Sequence, residues 1–433
     1  MSKKNFIVKD KEGILFSKIS GDFNKIHTDN IIGYNSIFGE KICHASLIII
    51  KIFKILDLKK LLEEFDEFSI NIKFIKHFSY EKKIIIKLKK KKQSTIVELF
   101  QHNELRASIL LENKNNLSNY NFFKLSKIFK KEKNLINFYN RENKMGTESM
   151  LLCLLTKYVG TIYPGKNSII NEININFNKS FNSKKSYVYI YSNKLDKRFP
   201  IILNRLTFQN YNIEFKTSER PKFQIKLNKI SKNIKDQVNK LKKNVFIIGG
   251  SSGIGFDILN ILKINKKIKI FVTYNKNKIN IKDKNVTKLK IKLERNIDTV
   301  RNIINKFSPL IIYYFATPKI DVNSNNQNLK RLYKKFYIDY PLKIISFCKN
   351  KKINFFYPST IFIDEKNKST YSKIKKIGEI TLKKNINSNL KINICRIAEV
   401  NTKQNLSLIK KDLPNFRDLL NKNKYYQKKF FFI

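Results

Sequence analysis

The chain has no tryptophan, and its 433 residues include only eight prolines, twelve glycines, four cysteines and four histidines. Cys43, Cys153, Cys348 and Cys395 lie far apart beside apolar residues, with no Cys-x-x-Cys or Cys/His ligand spacing, which excludes a disulfide framework and a zinc module. They read as reduced core residues, and no metal site is expected. Acidic residues are scarce too, 34 against 88 Lys and Arg, for a formal net charge of +54. The greasiest run, near Ala45 to Leu56, is interrupted by lysines and too short to span a bilayer, and the N-terminal residues hold no signal core. The expectation is a cytoplasmic protein with no membrane contact.

A hydrophobic fraction of 42% with 12% aromatics is enough to build packed cores despite 28% charged residues. The length accommodates two to four domains. So large a positive charge would point to nucleic acid if it were gathered on one face. Here the lysines are spread along the whole chain among Asn and Ile, so no specific nucleic-acid partner is expected. The densest run, Lys87 to Lys92, follows the apolar Ile84 to Ile86 and reads as a solvated hairpin end. Positive charge can still attract coenzyme A, an acidic carrier protein or a dinucleotide.

Hydrophobic patterning gives an order of elements. Ile42 to Leu56 reads as a buried helix, followed by strand patterns around Phe68 to Phe74 and Lys82 to Leu88. A related pattern returns downstream, where Ser149 to Val159 is an apolar helical run, Gly160 to Gly165 a turn, and Ile173, Ile175 and Phe177 alternate with polar residues. This reads as a structural repeat. Ile230, Ile234, Val238 and Leu241 then fall at helical spacing, as in an amphipathic connector. Beyond it, apolar runs at Val245 to Ile248, Ile268 to Tyr274, Leu289 to Leu293, Leu310 to Ala316, Ile353 to Tyr357 and Ile392 to Ile397 alternate with helical patterns, which predicts a doubly wound parallel sheet. The predicted domains are residues 1–115, 116–228, a helical linker 229–243, and 244–433.

Two stretches carry chemistry. Ser20-Gly-Asp-Phe-Asn-Lys-Ile-His-Thr-Asp29 sets a carboxylate and an imidazole on a loop, and Phe38-Gly-Glu-Lys-Ile-Cys-His-Ala45 leads into the apolar helix. Together they resemble the MaoC-like (R)-specific enoyl-CoA hydratases and dehydratases. The resemblance is strong over roughly Phe16 to Leu56 and extends over the rest of the first hundred residues only by pattern. It implies a hot-dog fold, a curved antiparallel sheet around a central helix. It also implies that Asp22 and His27, with Asn24 between them, hold the water exchanged between a trans-2-enoyl and a 3-hydroxyacyl thioester. The amide of Ala45 takes the place of the oxyanion-binding glycine amide, and Lys25 replaces a customary proline. His102 is the last histidine, so the repeat cannot carry an equivalent His-based site and is expected to be the non-catalytic half of a double hot-dog. His77 and His102 read as structural or surface residues.

In the second stretch, Ile248-Gly-Gly-Ser-Ser-Gly-Ile-Gly255 follows a strand pattern and opens a helix pattern, the context a dinucleotide-binding turn requires. With Ser359, Tyr371-Ser-Lys-Ile-Lys375 and Thr402, it resembles the short-chain dehydrogenase/reductase family across roughly Asn244 to Ile433. The resemblance makes Tyr371 the acid or base for the substrate oxygen, Lys375 the group that lowers the tyrosine pKa and binds the ribose, and Ser359 the carbonyl-positioning hydroxyl. Gly249, Ser251, Ser252, Gly253, Ile254, Gly255, Asn275, Lys276, Lys375 and Thr402 are the cofactor-binding candidates. No acidic residue closes the second strand, Val272-Thr-Tyr-Asn-Lys276, and Lys276 can meet a 2′-phosphate, which favours NADP over NAD. The pattern is departed from at Phe315-Ala-Thr317, at Asp339 and at Ile397-Ala398.

The expected fold class is therefore an α+β double hot-dog followed by an α/β Rossmann domain. The expected function is bifunctional, interconverting enoyl, 3-hydroxyacyl and 3-oxoacyl groups on coenzyme A or acyl carrier protein. Hot-dog folds often pair, so a homodimer is an option. The rival readings are a monofunctional hydratase with a silent nucleotide domain, and a basic nucleic-acid-binding protein, for which no recognition helix or zinc pattern is present.

Overall fold

A computed structural model describes residues 4–57, 65–92, 94–114, 125–129, 146–180, 188–194, 201–220, 228–242, 244–318, 320, 327–348, 351–365, 369–386, 388–402 and 413–432. The chain divides into two compact units between residues 222 and 223. Among the described residues, no helix is long and apolar enough to cross a membrane.

The first unit is built on one ten-stranded sheet. Its strands are β1 (Lys4–Ile7), β2 (Glu67–Phe74), β3 (Lys83–Lys90), β4 (Ser94–Gln101), β5 (Glu104–Glu112), β6 (Leu125–Phe129), β7 (Ser168–Asn178), β8 (Val188–Lys194), β9 (Ile201–Phe208) and β10 (Tyr211–Glu219). They lie in the order β1-β3-β4-β5-β2-β7-β10-β9-β8-β6, every neighbouring pair antiparallel. The helices are α1 (Asp10–Ser20), α2 (Asn30–Tyr34), α3 (Ala45–Leu56) and α4 (Thr147–Lys157), the last continued by a π-turn over Tyr158–Ile162.

The strand order reads the same outward from its centre in both directions. Each half is a helix followed by four strands, with the first of the four (β2 or β7) at the seam and the fourth (β5 or β10) beside it. The repeat expected from hydrophobic patterning is thus present as a structural duplication. At the seam Ile70 faces Ile175 and Ile72 faces Ile173, all four fully buried. Ile48, Ile49 and Ile52 of α3 and Leu151, Leu152 and Leu155 of α4 fill the same core. The segments expected as domains 1–115 and 116–228 accordingly share one sheet and one core, and the boundary at 115/116 lies outside the described residues.

The second unit is a six-stranded parallel sheet of β11 (Val245–Ile248), β12 (Ile270–Tyr274), β13 (Val286–Lys290), β14 (Ile311–Tyr314), β15 (Ile353–Thr360) and β16 (Leu390–Ile397). Its order, β13-β12-β11-β14-β15-β16, is the 3-2-1-4-5-6 arrangement of dinucleotide-binding sheets, with the switch point between β11 and β14. The near-continuous burial of β11 and β14 follows from helices on both faces. One face packs α5 (Lys232–Lys240), α6 (Gly253–Leu262), α11 (Phe416–Lys422) and α12 (Lys424–Phe431); the other packs α7 (Leu293–Phe307), α8 (Gln327–Lys334), α9 (Tyr340–Ser346) and α10 (Thr370–Lys383). The expected connector is helix α5, whose Ile234 and Val238 are part of this core.

One strand differs from its expected position. The apolar run Leu289 to Leu293 overlaps a strand only at its start: β13 covers Val286–Lys290 and Leu293 opens α7. Ile291 and Leu293 are buried in the helix-facing core instead. An outermost strand buries few of its own residues, so the apolar signal in this region comes from the loop and helix start that follow it.

Candidate active site

The N-terminal site begins where α1 stops. Gly21, with φ 75°, ends the helix and turns the chain, so that Asp22 and Asn24 fall inward and are almost fully buried. Asn24 N–H donates to Asp22 Oδ1 at 3.1 Å, and Ile26 N–H donates to Asn24 Oδ1 at 3.4 Å, which rigidifies the loop. His27 Nδ1 lies 3.0 Å from the Ile42 carbonyl. A carbonyl only accepts, so Nδ1 carries the proton and Nε2 is the acceptor nitrogen. Burial holds the His27 pKa below its ordinary value; Asp22 partly restores it and Arg220 lowers it further.

His44 lies against this pair. Its ring stacks on His27 with centroids 3.9 Å apart, and donor atoms of Asp22, His27 and His44 all lie within 4.8 Å of one another. Ser17 Oγ and the Tyr80 hydroxyl sit 3.2 and 3.4 Å from its two ring nitrogens. Burial keeps His44 neutral, and the neighbouring His27 adds to the effect. Lone pairs lie in the imidazole plane, so stacked rings aim them side by side and away from a common point, an arrangement suited to hydrogen bonding more than to metal ligation. His44 also caps α3, which makes Ala45 the first helical residue, its amide among those without an intrahelical acceptor.

The second half of the unit completes the site. Thr156 Oγ1, on α4, donates to Asp22 Oδ2 at 2.8 Å, across 134 residues of sequence. Gly160, in the π-turn, is the seat of the carboxylate: a Cβ there would meet Asp22 Oδ1 at 2.0 Å. The half without a histidine therefore supplies two positions to the same carboxylate. Sequence reading used His44 only as the residue preceding Ala45, and nothing in the sequence around Thr156 or Gly160 marks them. Of the two histidines set aside, His77 bonds Glu40 at 3.1 Å and His102 occupies the β4–β5 turn with φ 56°.

In the second unit the residues Gly249 to Gly255 lie at the switch point. Gly249 adopts φ 89°, and a Cβ on it would meet Ala316 N at 2.6 Å, so only glycine permits the strand-to-helix turn here. Its amide donates to Thr273 Oγ1 at 2.9 Å; Ser251 and Ser252 follow in the turn, and Gly253, Ile254 and Gly255 open α6, with Gly255 buried against Gly249 and Phe315. Thr402 Cγ2 approaches the Cβ position of Gly253 at 3.9 Å. Asn275 and Lys276 directly follow β12 at the same sheet end.

The expected Ser359, Tyr371 and Lys375 group forms only in part. Tyr371 and Lys375 share a face of α10, with the Lys375 Nζ 6.0 Å from the Tyr371 ring centroid. The same ammonium sits 4.2 Å from the Tyr337 ring and 4.7 Å from the Tyr357 ring, and it donates to the Pro358 carbonyl. Burial lowers its pKa to about 7, opposed by Glu379. Burial and the Tyr333 phenol raise the Tyr371 pKa, and the hydroxyl that eases it belongs to Thr360. Ser359 Oγ is buried outside hydrogen-bonding geometry, and its influence falls on the Glu379 carboxylate, which Arg396 holds at 3.0 and 2.9 Å.

No family model and no curated protein sequence matches the chain. Among solved structures it is similar to a UDP-glucose 4-epimerase from Thermotoga maritima, with 19% identity and TM-score 0.31, over 35% of this chain and 54% of the epimerase. A short chain dehydrogenase family protein from Francisella tularensis gives 20% identity and TM-score 0.32, over 37% of this chain and 72% of that one. A short chain dehydrogenase from Burkholderia cenocepacia in complex with NADP gives 11% and 0.34, over 41% and 81%. The chain thus spans about half the length of the epimerase.

The two units together form an enzyme-like chain. An Asp–His–His cluster of the kind a hydratase uses lies in the antiparallel unit, and a sheet with the strand order of NAD(P)-binding domains forms the other.

Proposed function

We propose that the first unit hydrates trans-2-enoyl thioesters, or dehydrates 3-hydroxyacyl thioesters, and that the second interconverts 3-hydroxyacyl and 3-oxoacyl groups with NADP(H) or NAD(H). The observation that carries the reading is the buried Asp22 beside a half-buried His27, with Asp22 fixed by Thr156 and Asn24 and with His27 Nε2 left as acceptor. The duplicated helix-and-four-strand halves support a double hot-dog around it.

In hydration, Asp22 orients a water and His27 Nε2 takes one of its protons as the oxygen bonds to C3. The charge moves onto the thioester oxygen, where the Ala45 amide and the α3 dipole stabilise it. The imidazolium returns the proton to C2, so one water is added across the double bond. His27, neutral at pH 7, starts in the required state. Dehydration is the same path reversed.

For the nucleotide, the helix start at Gly253 is open, a Cβ there meeting only Thr402 Cγ2 at 3.9 Å, and the residue set fits a dinucleotide. The amides of Ser251 to Gly255 would hold the pyrophosphate, Thr402 the cofactor edge, and Asn275 with Lys276 the ribose end, where Lys276 favours a 2′-phosphate. A bound nicotinamide would supply the hydride. Tyr371 would hand a proton to or from the substrate oxygen, with the hydroxyls of Ser359 and Thr360 at the end of β15 as the groups that could position that oxygen.

Incubation with a trans-2-enoyl-CoA and NADP⁺, followed by mass spectrometry, tests this. A 3-hydroxyacyl product, partly converted to 3-oxoacyl, is expected; no change in mass with short or long acyl chains would remove the thioester reading. A second reading, hydratase with a silent nucleotide domain, is favoured by Lys375 being close to neutral inside an aromatic cage while Tyr371 is driven upward. Hydration without any 3-oxoacyl product would establish it.

A further inference from the structure

Arg220 directly follows β10 and is not accounted for by the chemistry above. Its backbone N–H donates to Asn167 O at 2.6 Å and its Nη2 donates to the Lys166 carbonyl. Both carbonyls belong to the turn that leads from the Gly160-bearing π-turn into β7, and in that turn Gly165 N–H donates to Val159 O at 2.9 Å. One corner of the guanidinium is therefore anchored next to the seat of Asp22. The Nε atom is buried with no hydrogen-bond partner among the described residues. Of the carboxylates on β7 and β10, Glu172 pairs with Lys216, Glu214 pairs with Arg205, and Glu219 is exposed. Burial alone lowers the Arg220 pKa to about 10, and its charge reaches His27.

A desolvated cation lacking a counter-charge is costly, and guanidinium is the side chain best shaped to bind carboxylate or phosphate oxygens through charge-assisted hydrogen bonds. We propose that Arg220 binds an anionic oxygen group of the ligand beside the Asp22–His27 pair. That group is either a carboxylate on the acyl part or a phosphate of its carrier. The inference rests on the hydratase reading of the site and adds a specificity-determining residue to it. The anchored Nη2 fixes the direction of the fork, and Nε–H is the donor left to be satisfied.

Steady-state hydration by the wild-type protein, Arg220→Met and Arg220→Lys is compared on two trans-2-enoyl-CoA substrates, one ending in a methyl group and one in a carboxylate. Loss of a charge-assisted hydrogen bond predicts a rise in KM of about tenfold or more in Arg220→Met, with kcat little changed and partial rescue by lysine. A rise confined to the carboxylated substrate identifies an acyl carboxylate, and an equal rise on both identifies a carrier phosphate. A fall in kcat with KM unchanged, or no change in either, overturns the proposal. Isothermal titration of fumarate and of inorganic phosphate reads the same contact without turnover. Binding to the wild type that is lost in Arg220→Met supports the proposal even if no thioester is hydrated, and equal binding to both proteins counts against it.

Discussion

Asp22 owes its position to residues more than a hundred positions away. Thr156 fixes one carboxylate oxygen, and the other occupies the space a side chain at Gly160 would need. Two substitutions separate these roles. Thr156→Val keeps the shape but removes the donor, so a buried lone pair goes unsatisfied; hydration is expected to fall about tenfold, with Thr156→Ser near wild type. Gly160→Ala forces the carboxylate aside, and hydration is expected to fall much further while the far-UV circular dichroism is unchanged. Asp22→Asn and His27→Gln remove the groups that hold water and accept its proton, and about 10²- to 10⁴-fold loss of kcat is expected for each. Should either variant retain wild-type kcat on enoyl-CoA, the assignment of this pair would be wrong.

At the level of elements, the strand β15 and helix α10 decide what the second unit can do. The Tyr-x-x-x-Lys spacing is visible in the sequence because positions four apart share a helix face. Which hydroxyls act on α10 is not visible, since it depends on how the end of β15 packs against that helix, where Thr360 acts on Tyr371 and Ser359 on Glu379. The surroundings of Lys375 were equally hidden: Tyr337 and Tyr357 come from different elements and desolvate the ammonium. The same distinction holds in the first unit. The loop motif at Asp22 and His27 and the apolar helix after it were legible because both are local, whereas Thr156, Gly160 and the stacking of His44 arise from pairing two halves of a duplicated sheet. Lys375 gives a measurable consequence. Its folded pKa, about 7, lies below that of an unfolded lysine, so the unfolded chain binds more protons between about pH 7 and 10.5 and stability there rises with pH. Lys375→Met is therefore expected to raise the Tm of the second unit near pH 8, by an amount that shrinks towards pH 10. A gain independent of pH would mean that the lysine is not held near neutrality.

For the whole molecule, the balance of charges sets how it responds to acid. Burial lowers the pKa of His27 and His44, and partial desolvation with the nearby Arg106 lowers that of His102 in the β4–β5 turn. In the unfolded chain each takes up a proton near pH ~6.5, so just below that value the unfolded state binds more protons and stability falls as pH falls. Glu40, Glu172 and Glu379 act lower down: hydrogen bonds and basic partners depress their pKa, and the stability they add is present above an unfolded value near ~4.3 and lost only as pH drops through their folded values. Between about pH 6.5 and 5 the histidines are thus the main source of any slope. Thermal unfolding of the wild-type protein is expected to show a falling Tm across that interval, and the double variant His27→Gln, His44→Gln is expected to flatten most of it, because the glutamines remain neutral in both states. An equally steep fall in the double variant would move the acid sensitivity away from the Asp22 site and onto carboxylates, and with it would go the claim that His27 enters the reaction as a neutral base kept so by burial.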